Sequence, residues 1–137
     1  MTEALKEAQK AFDRDEVPIG AIVVCNNTVI ARAYNLTESL NDPTAHAEMQ
    51  AITAATSYLG GKYLNQCTLY VTLEPCSMCA GAIYWSQLGR LVYGAQDPKR
   101  GYSSISSKLV HPKTEVISNV LSEEAERLIK DFFISKR

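Results

Sequence analysis

No stretch of the 137 residues approaches the roughly 20 consecutive apolar residues of a membrane-spanning helix, so the chain is not expected to cross a membrane. An excess of either charge is also missing: 14 Lys and Arg stand against 15 Asp and Glu, for a net charge of −1. Nucleic-acid binders are usually basic overall, so any such binding must rest on a local patch. No repeat, linker or low-complexity tract breaks the chain. Residues 1–137 are therefore read as one domain, long enough to bury about two thirds of its unfolded surface without staples. The start, Met1-Thr2-Glu3-Ala4-Leu5-Lys6, reads as helix and not as a signal peptide, which predicts a cytoplasmic protein.

Cysteine and histidine are scarce, four and two residues, and three of these six fall into two short segments: His46-Ala47-Glu48 and Pro75-Cys76-Ser77-Met78-Cys79. Each part has a bland reading. A lone helical His is more often packed or solvated than a ligand, and a helical Glu is usually a solvated charge. Cys-x-x-Cys carries more, because an intracellular chain seldom keeps two thiols one turn apart without metal or redox use. Its rival is a thioredoxin-like dithiol. The Pro before the first Cys, and a second helix opening with His and Glu two apart, favour metal. Three zinc ligands, His46, Cys76 and Cys79, would leave the fourth tetrahedral position to water, as catalytic zinc sites do. Glu48 is then an uncommitted carboxylate beside the ion, able to move protons between water, a ring nitrogen and a leaving amine. Cys25 and Cys67 lie in apolar strand-like runs and are expected to be buried and inert.

The elements alternate. Thr2 to Arg14 spaces Leu5, Ala8 and Phe12 as one face of an amphipathic helix. Val17 to Cys25, the turn pair Asn26-Asn27 and Val29 to Tyr34 predict a hairpin. Asp42-Pro43 is expected to open a helix, Asp as cap and Pro at the first position, with His46 and Glu48 in its first turns. Cys67 to Leu73 is a third strand, Cys76 to Gln87 a helix, Leu91 to Tyr93 a fourth strand and Val116-Ile117 a fifth. Ser122 is expected to cap a last helix running to about Ser135, with Glu123, Glu124 and Glu126 early and Lys130 late. The expected fold class is α/β: a three-layer α/β/α sandwich on a mixed five-stranded sheet, antiparallel at the opening hairpin and parallel from Cys67 onward.

His-x-Glu followed by Pro-Cys-x-x-Cys is the known signature of zinc nucleobase deaminases. The chain resembles the bacterial tRNA-specific adenosine deaminases of the cytidine deaminase superfamily over nearly its whole length. The resemblance is carried by Glu16-Val17-Pro18-Ile19-Gly20-Ala21, Tyr34-Asn35, Asp42 to Glu48, Thr68 to Ala82, Gly94-Ala95-Gln96-Asp97 and Asp131-Phe132-Phe133. It implies a cytidine deaminase-like fold, one Zn²⁺ per subunit, and deamination of the anticodon wobble adenosine to inosine in a homodimer. Carried over residue by residue, it assigns zinc to His46, Cys76 and Cys79 and the proton shuttle to Glu48. Asn35 would touch the flipped base, the Ala47 N–H its exocyclic edge, and Asp97 a ribose 2′-hydroxyl. Lys99, Arg100, Lys136 and Arg137 are candidate phosphate contacts. His111 is a loop residue; Tyr84 and Trp85 pack a core or a dimer face. Residues 101–111 follow the family pattern loosely. Gly81 to Trp85 also resembles guanine deaminases, which leaves a free guanine or cytosine deaminase as the alternative substrate class, and a non-catalytic zinc or dithiol redox module as the alternative of another kind.

Overall fold

In the computed structural model, which describes residues 1–137, the first helix, α1 (Thr2–Asp13), buries Ala4, Ala8 and Ala11. It lies so close to the sheet that a Cβ on Gly20 would overlap the Ala4 carbonyl and the Ala8 N–H. Strand β1 (Gly20–Cys25) returns as β2 (Thr28–Tyr34) through Asn26 and Asn27 at φ 52° and 59°, the left-handed pair that a two-residue hairpin turn demands. Val17 and Pro18, expected in the strand, stand outside it. Pro18 has no N–H to give a ladder, and Ile19 N–H closes on the Val17 carbonyl at 2.8 Å.

Then follow α2 (Ala47–Leu59), β3 (Cys67–Leu73), α3 (Ser77–Trp85), β4 (Arg90–Ala95), β5 (Glu115–Ile117) and α4 (Ser122–Ser135). The strand order is β2-β1-β3-β4-β5. β1 is antiparallel to both neighbours, whereas β3, β4 and β5 are parallel. Helices α1 and α4 pack together, as do α2 and α3, giving the expected α/β/α sandwich on a mixed sheet. Its core joins Val23, Leu69, Val71 and Leu91 to Ile83 and Leu88 around α3. All six are essentially inaccessible, and each such side chain contributes about 1.5–3 kcal/mol of burial. Cys25 and Cys67 face each other across β1 and β3, both buried. Burial, aided by Cys25, pushes the Cys67 thiol up to about 12, so it stays a thiol.

Two predicted helix starts are corrected. The helix expected from Asp42 begins at Ala47, with His46 as an extended N-cap (φ −68°, ψ 152°). Asp42 instead accepts from the Thr44 N–H and hydroxyl in a local turn, and Leu36 N–H binds the Ala45 carbonyl, which keeps residues 42–46 off the helical path. For α4 the cap is Leu121, at φ 55°, with no side-chain cap bond; Ser122 is already helical. Residues 101–111 form two short 3₁₀ turns, Tyr102–Ser104 and Ser107–Leu109.

Register positions the site. Gly20 pairs with Tyr34, Ala21 with Val71 and Leu73 with Ala95, so the start of β1 and the ends of β2, β3 and β4 share one edge. Every loop leaving that edge faces the same space, as the carboxyl ends of parallel strands do in open α/β sheets.

Candidate metal centre and cleft

Cys76 is the extended N-cap of α3, as His46 is of α2, so two helix N-termini meet at this edge. Their partial positive charge favours thiolates. His46 Nδ1 lies 3.6 Å from Cys76 Sγ and 3.5 Å from Cys79 Sγ, and all three donor atoms fall within 4.8 Å of one another. A tetrahedral ion with bonds of about 2.3 Å to sulfur and 2.0 Å to nitrogen spaces S and N by roughly 3.6 Å. The triad therefore fits a metal ion. Its donors share protons: the Cys76 thiol is pulled down to about 3 by hydrogen bonds from Cys79 and then His46, while Cys79 is pushed up, chiefly by Cys76. The bond to Cys76 also raises His46.

Glu48 sits in the first turn of α2 and is buried, and burial raises its carboxyl above the usual carboxylate range. Its Oε1 is withdrawn from solvent with no hydrogen-bond partner in the protein. A native structure rarely leaves such an atom idle.

His46, Glu48 and Cys76 line a cleft of about 900 Å³, the size of a ligand site, and Cys79 is buried beside them. Asn35 lines it too, although its Oδ1 accepts from Thr37 N–H (3.3 Å) and its Nδ2 donates to the Val17 carbonyl (3.4 Å), which leaves one N–H and one lone pair. Asp97 also lines it. Asp97 Oδ1 accepts from Lys99 and Arg100 N–H, and its other oxygen has no bond within the protein. Ala47 is fully buried and its side chain stands outside the cleft wall; as the first residue of α2 its N–H has no acceptor within the helix. Lys99 and Arg100 reach the cleft, but Lys136 pairs with Asp15 instead. His111 is remote, its Nδ1 accepting from Lys113 N–H while its ring packs on Tyr84.

Sequence reasoning missed four contributors from α4. Glu126, Ile129, Lys130 and Phe133 form part of the wall, and the one trace in the sequence is Phe133 within the Asp131-Phe132-Phe133 segment that carries the resemblance. Glu74 and Glu16, to which the motifs assign no role, are buried, and each binds a loop at the cleft. Trp85, expected to pack a core or a dimer face, is 78% exposed in the single chain and so lies outside the core.

Fold and site together define a deaminase of the cytidine deaminase-like type. The sequence matches the model of the MafB19-like deaminase family over residues 1–137. It is 48% identical over 138 residues to the tRNA-specific adenosine deaminase of Bacillus subtilis, spanning 97% of this chain and 86% of that one. A solved structure from work on A-to-I editing by tRNA:A34 deaminases at the wobble position superposes with a TM-score of 0.87 and 46% identity, over 93% of this chain and 96% of that one. The chain belongs to the tRNA-specific adenosine deaminase family. The guanine deaminase of Bacillus subtilis is also similar, at 39% identity and a TM-score of 0.66, but over 69% of this chain and 61% of that one.

Proposed function

We propose that this protein is a zinc-dependent hydrolase that converts the wobble adenosine of a tRNA anticodon to inosine, releasing ammonia. The observation that carries the reaction is the orphaned, buried Glu48 Oε1 beside three convergent soft donors. The substrate comes from the near full-length relatives named above.

His46, Cys76 and Cys79 would hold the ion, and a His/Cys/Cys set selects zinc over harder cations. Zinc, when bound, supplies a water of near-neutral pKa and a Lewis acid. Glu48 is placed to take a proton at Oε1, pass it to a ring nitrogen and return one to the departing amine, so that water and the aminated base become carbonyl base and ammonia. The low solvent exposure around Glu48 keeps that proton from bulk water. Asn35, with its spare N–H, faces where a base would enter, and the Ala47 N–H is free for the exocyclic edge. The unbonded oxygen of Asp97 suits a ribose 2′-hydroxyl, the group that separates RNA from DNA. Lys99 and Arg100 stand where an anticodon backbone would pass.

A homodimer is the assembly this reading favours. Trp85 is exposed at the end of α3 with its ring against Tyr84 (5.4 Å), a patch a monomer has no use for. No helix is long and apolar enough to cross a membrane, and a bacterial tRNA substrate favours the cytoplasm as the enzyme's compartment.

The deciding experiment offers the purified protein an anticodon stem-loop bearing the wobble adenosine, and separately guanine and cytosine, while counting zinc per chain. Inosine from the stem-loop with about one zinc per chain is the expected result. Ammonia from a free base without inosine selects the smaller substrate class, and absence of zinc with a reducible Cys76–Cys79 bond overturns the deaminase reading altogether.

A further inference from the structure

Two glutamates outside the metal group share one pattern of bonds to loops beside the cleft. Glu74, immediately after β3, is only 3% exposed. Its Oε1 accepts from Asp97 N–H (3.1 Å), and its Oε2 from Ser103 N–H (3.0 Å) and the Ser103 hydroxyl (2.5 Å). Glu16, before β1, is fully buried. Its Oε1 accepts from Glu38 N–H (3.0 Å), and its Oε2 from Ser39 N–H (2.7 Å) and the Ser39 hydroxyl (2.5 Å). Neither has a cation within ion-pair distance, so each carboxylate is held by two amides and one serine hydroxyl alone.

What each pair of oxygens holds is a loop that lines the cleft or continues directly from residues that do. Glu74 closes 97–103, which carries Asp97, Lys99 and Arg100; Glu16 closes 38–39, directly after Asn35 and Thr37. The first loop is also tied to the metal segment, by a bridge between Gly101 and Cys76 and by Tyr102 N–H to the Pro75 carbonyl (2.9 Å). Gly101 has an ordinary φ of −64°, so no backbone strain requires glycine. Space requires it: a Cβ there would overlap the Glu74 carboxylate and the Asp97 carbonyl.

We propose that Glu74 and Glu16 are positioning residues for the deamination, paired carboxylate staples that hold the two substrate-facing loops in their binding-competent arrangement before RNA arrives. The proposal rests on the function argued above. Hydrogen bonds to a charged acceptor are the strong ones, and an amide in place of the carboxylate turns an NH₂ against N–H or O–H donors. Loosening a loop lowers the fraction of protein competent to bind, and the apparent affinity falls by that fraction while the chemistry of the bound state is untouched. The signature is therefore a split between KM and kcat.

The test uses Glu74→Gln, Gly101→Ala, the pair Glu74→Ala and Glu74→Ala/Gly101→Ala, and Glu16→Gln, in the zinc-loaded full chain. Expected for Glu74→Gln is a KM for the anticodon stem-loop raised about tenfold or more, with kcat within about twofold and zinc unchanged. Asp97 and Ser103 amides should exchange faster. Gly101→Ala should shift KM the same way, and the double variant should show less than the sum of the two single effects, since removing the carboxylate relieves the side-chain part of the clash while the Asp97 carbonyl still meets the new methyl. Glu16→Gln should free the Glu38 and Ser39 amides. A parental KM in both Glu74→Gln and Gly101→Ala, or a loss of kcat and zinc alongside a raised KM, overturns the proposal. If the parent forms no inosine, the functional reading fails on its own, and amide exchange still decides the staple: faster exchange at Asp97 and Ser103 in Glu74→Gln supports it, and unchanged exchange sinks it. If Glu74→Gln does not fold, Gly101→Ala, which keeps every carboxylate, carries the same comparison.

Discussion

Replacing Glu48 with Gln tests the site from two directions at once. The two side chains are nearly the same volume, so the packing of α2 is preserved, but the amide cannot take up and hand on a proton. General acid–base groups contribute about 10²–10⁴-fold, so turnover should fall by that factor, equivalent to roughly 3–5 kcal/mol of barrier. Stability should move the other way. Burial disfavours the charged form of the Glu48 carboxyl, and a neutral amide in its place avoids that desolvation, worth on the order of 1 kcal/mol. For a chain of this size that raises Tm by about 3–5 °C. The assay pairs inosine formation with zinc content and thermal unfolding. A zinc-loaded variant within tenfold of parental turnover refutes the proton role. A variant several degrees less stable refutes the expected gain from neutralising the buried carboxyl.

Three further outcomes follow from the surface and the loops. Trp85→Arg places a charge on the exposed tryptophan of α3, and sedimentation is expected to give a dimer for the parent and a monomer for the variant; equal masses contradict the dimer face. Replacing Lys99 and Arg100 by Ala should weaken stem-loop binding and flatten the dependence of log K on log salt by about 1 for each phosphate no longer neutralised, whereas an unchanged slope removes both from the RNA path. Glu16→Gln carries a pH signature. Burial alone would raise the Glu16 carboxyl, but the donors at Ser39 and Glu38 outweigh it and hold the group below its usual 4.5. A depressed folded pKa gives stability that is present above the unfolded value and lost as pH falls through the folded one. The parent should therefore out-melt the variant at pH 7, with the gap narrowing below about pH 4.5; a constant gap down to pH 3 contradicts the account.

The sequence by itself determined what depends on short spacings. His46 with Glu48, and Cys76 with Cys79, were legible as a candidate site because each pair sets suitable atom types within one helical turn, and the Asn26-Asn27 hairpin because positive φ has few tolerant residues. The order of strands and helices followed from periodicity. Helix starts did not: Asp42-Pro43 has good capping chemistry, yet Thr44 and the Leu36–Ala45 bond captured it, a competition invisible without the neighbouring strand. Only the tertiary structure decided the cleft. Its staples join residues 22 to 29 positions apart, and its wall includes Glu126, Lys130 and Phe133 from the far end of the chain. A buried glutamate and a solvated one are the same letter, and only burial among N–H donors, which the sheet edge brings together, makes Glu16 and Glu74 different from the rest.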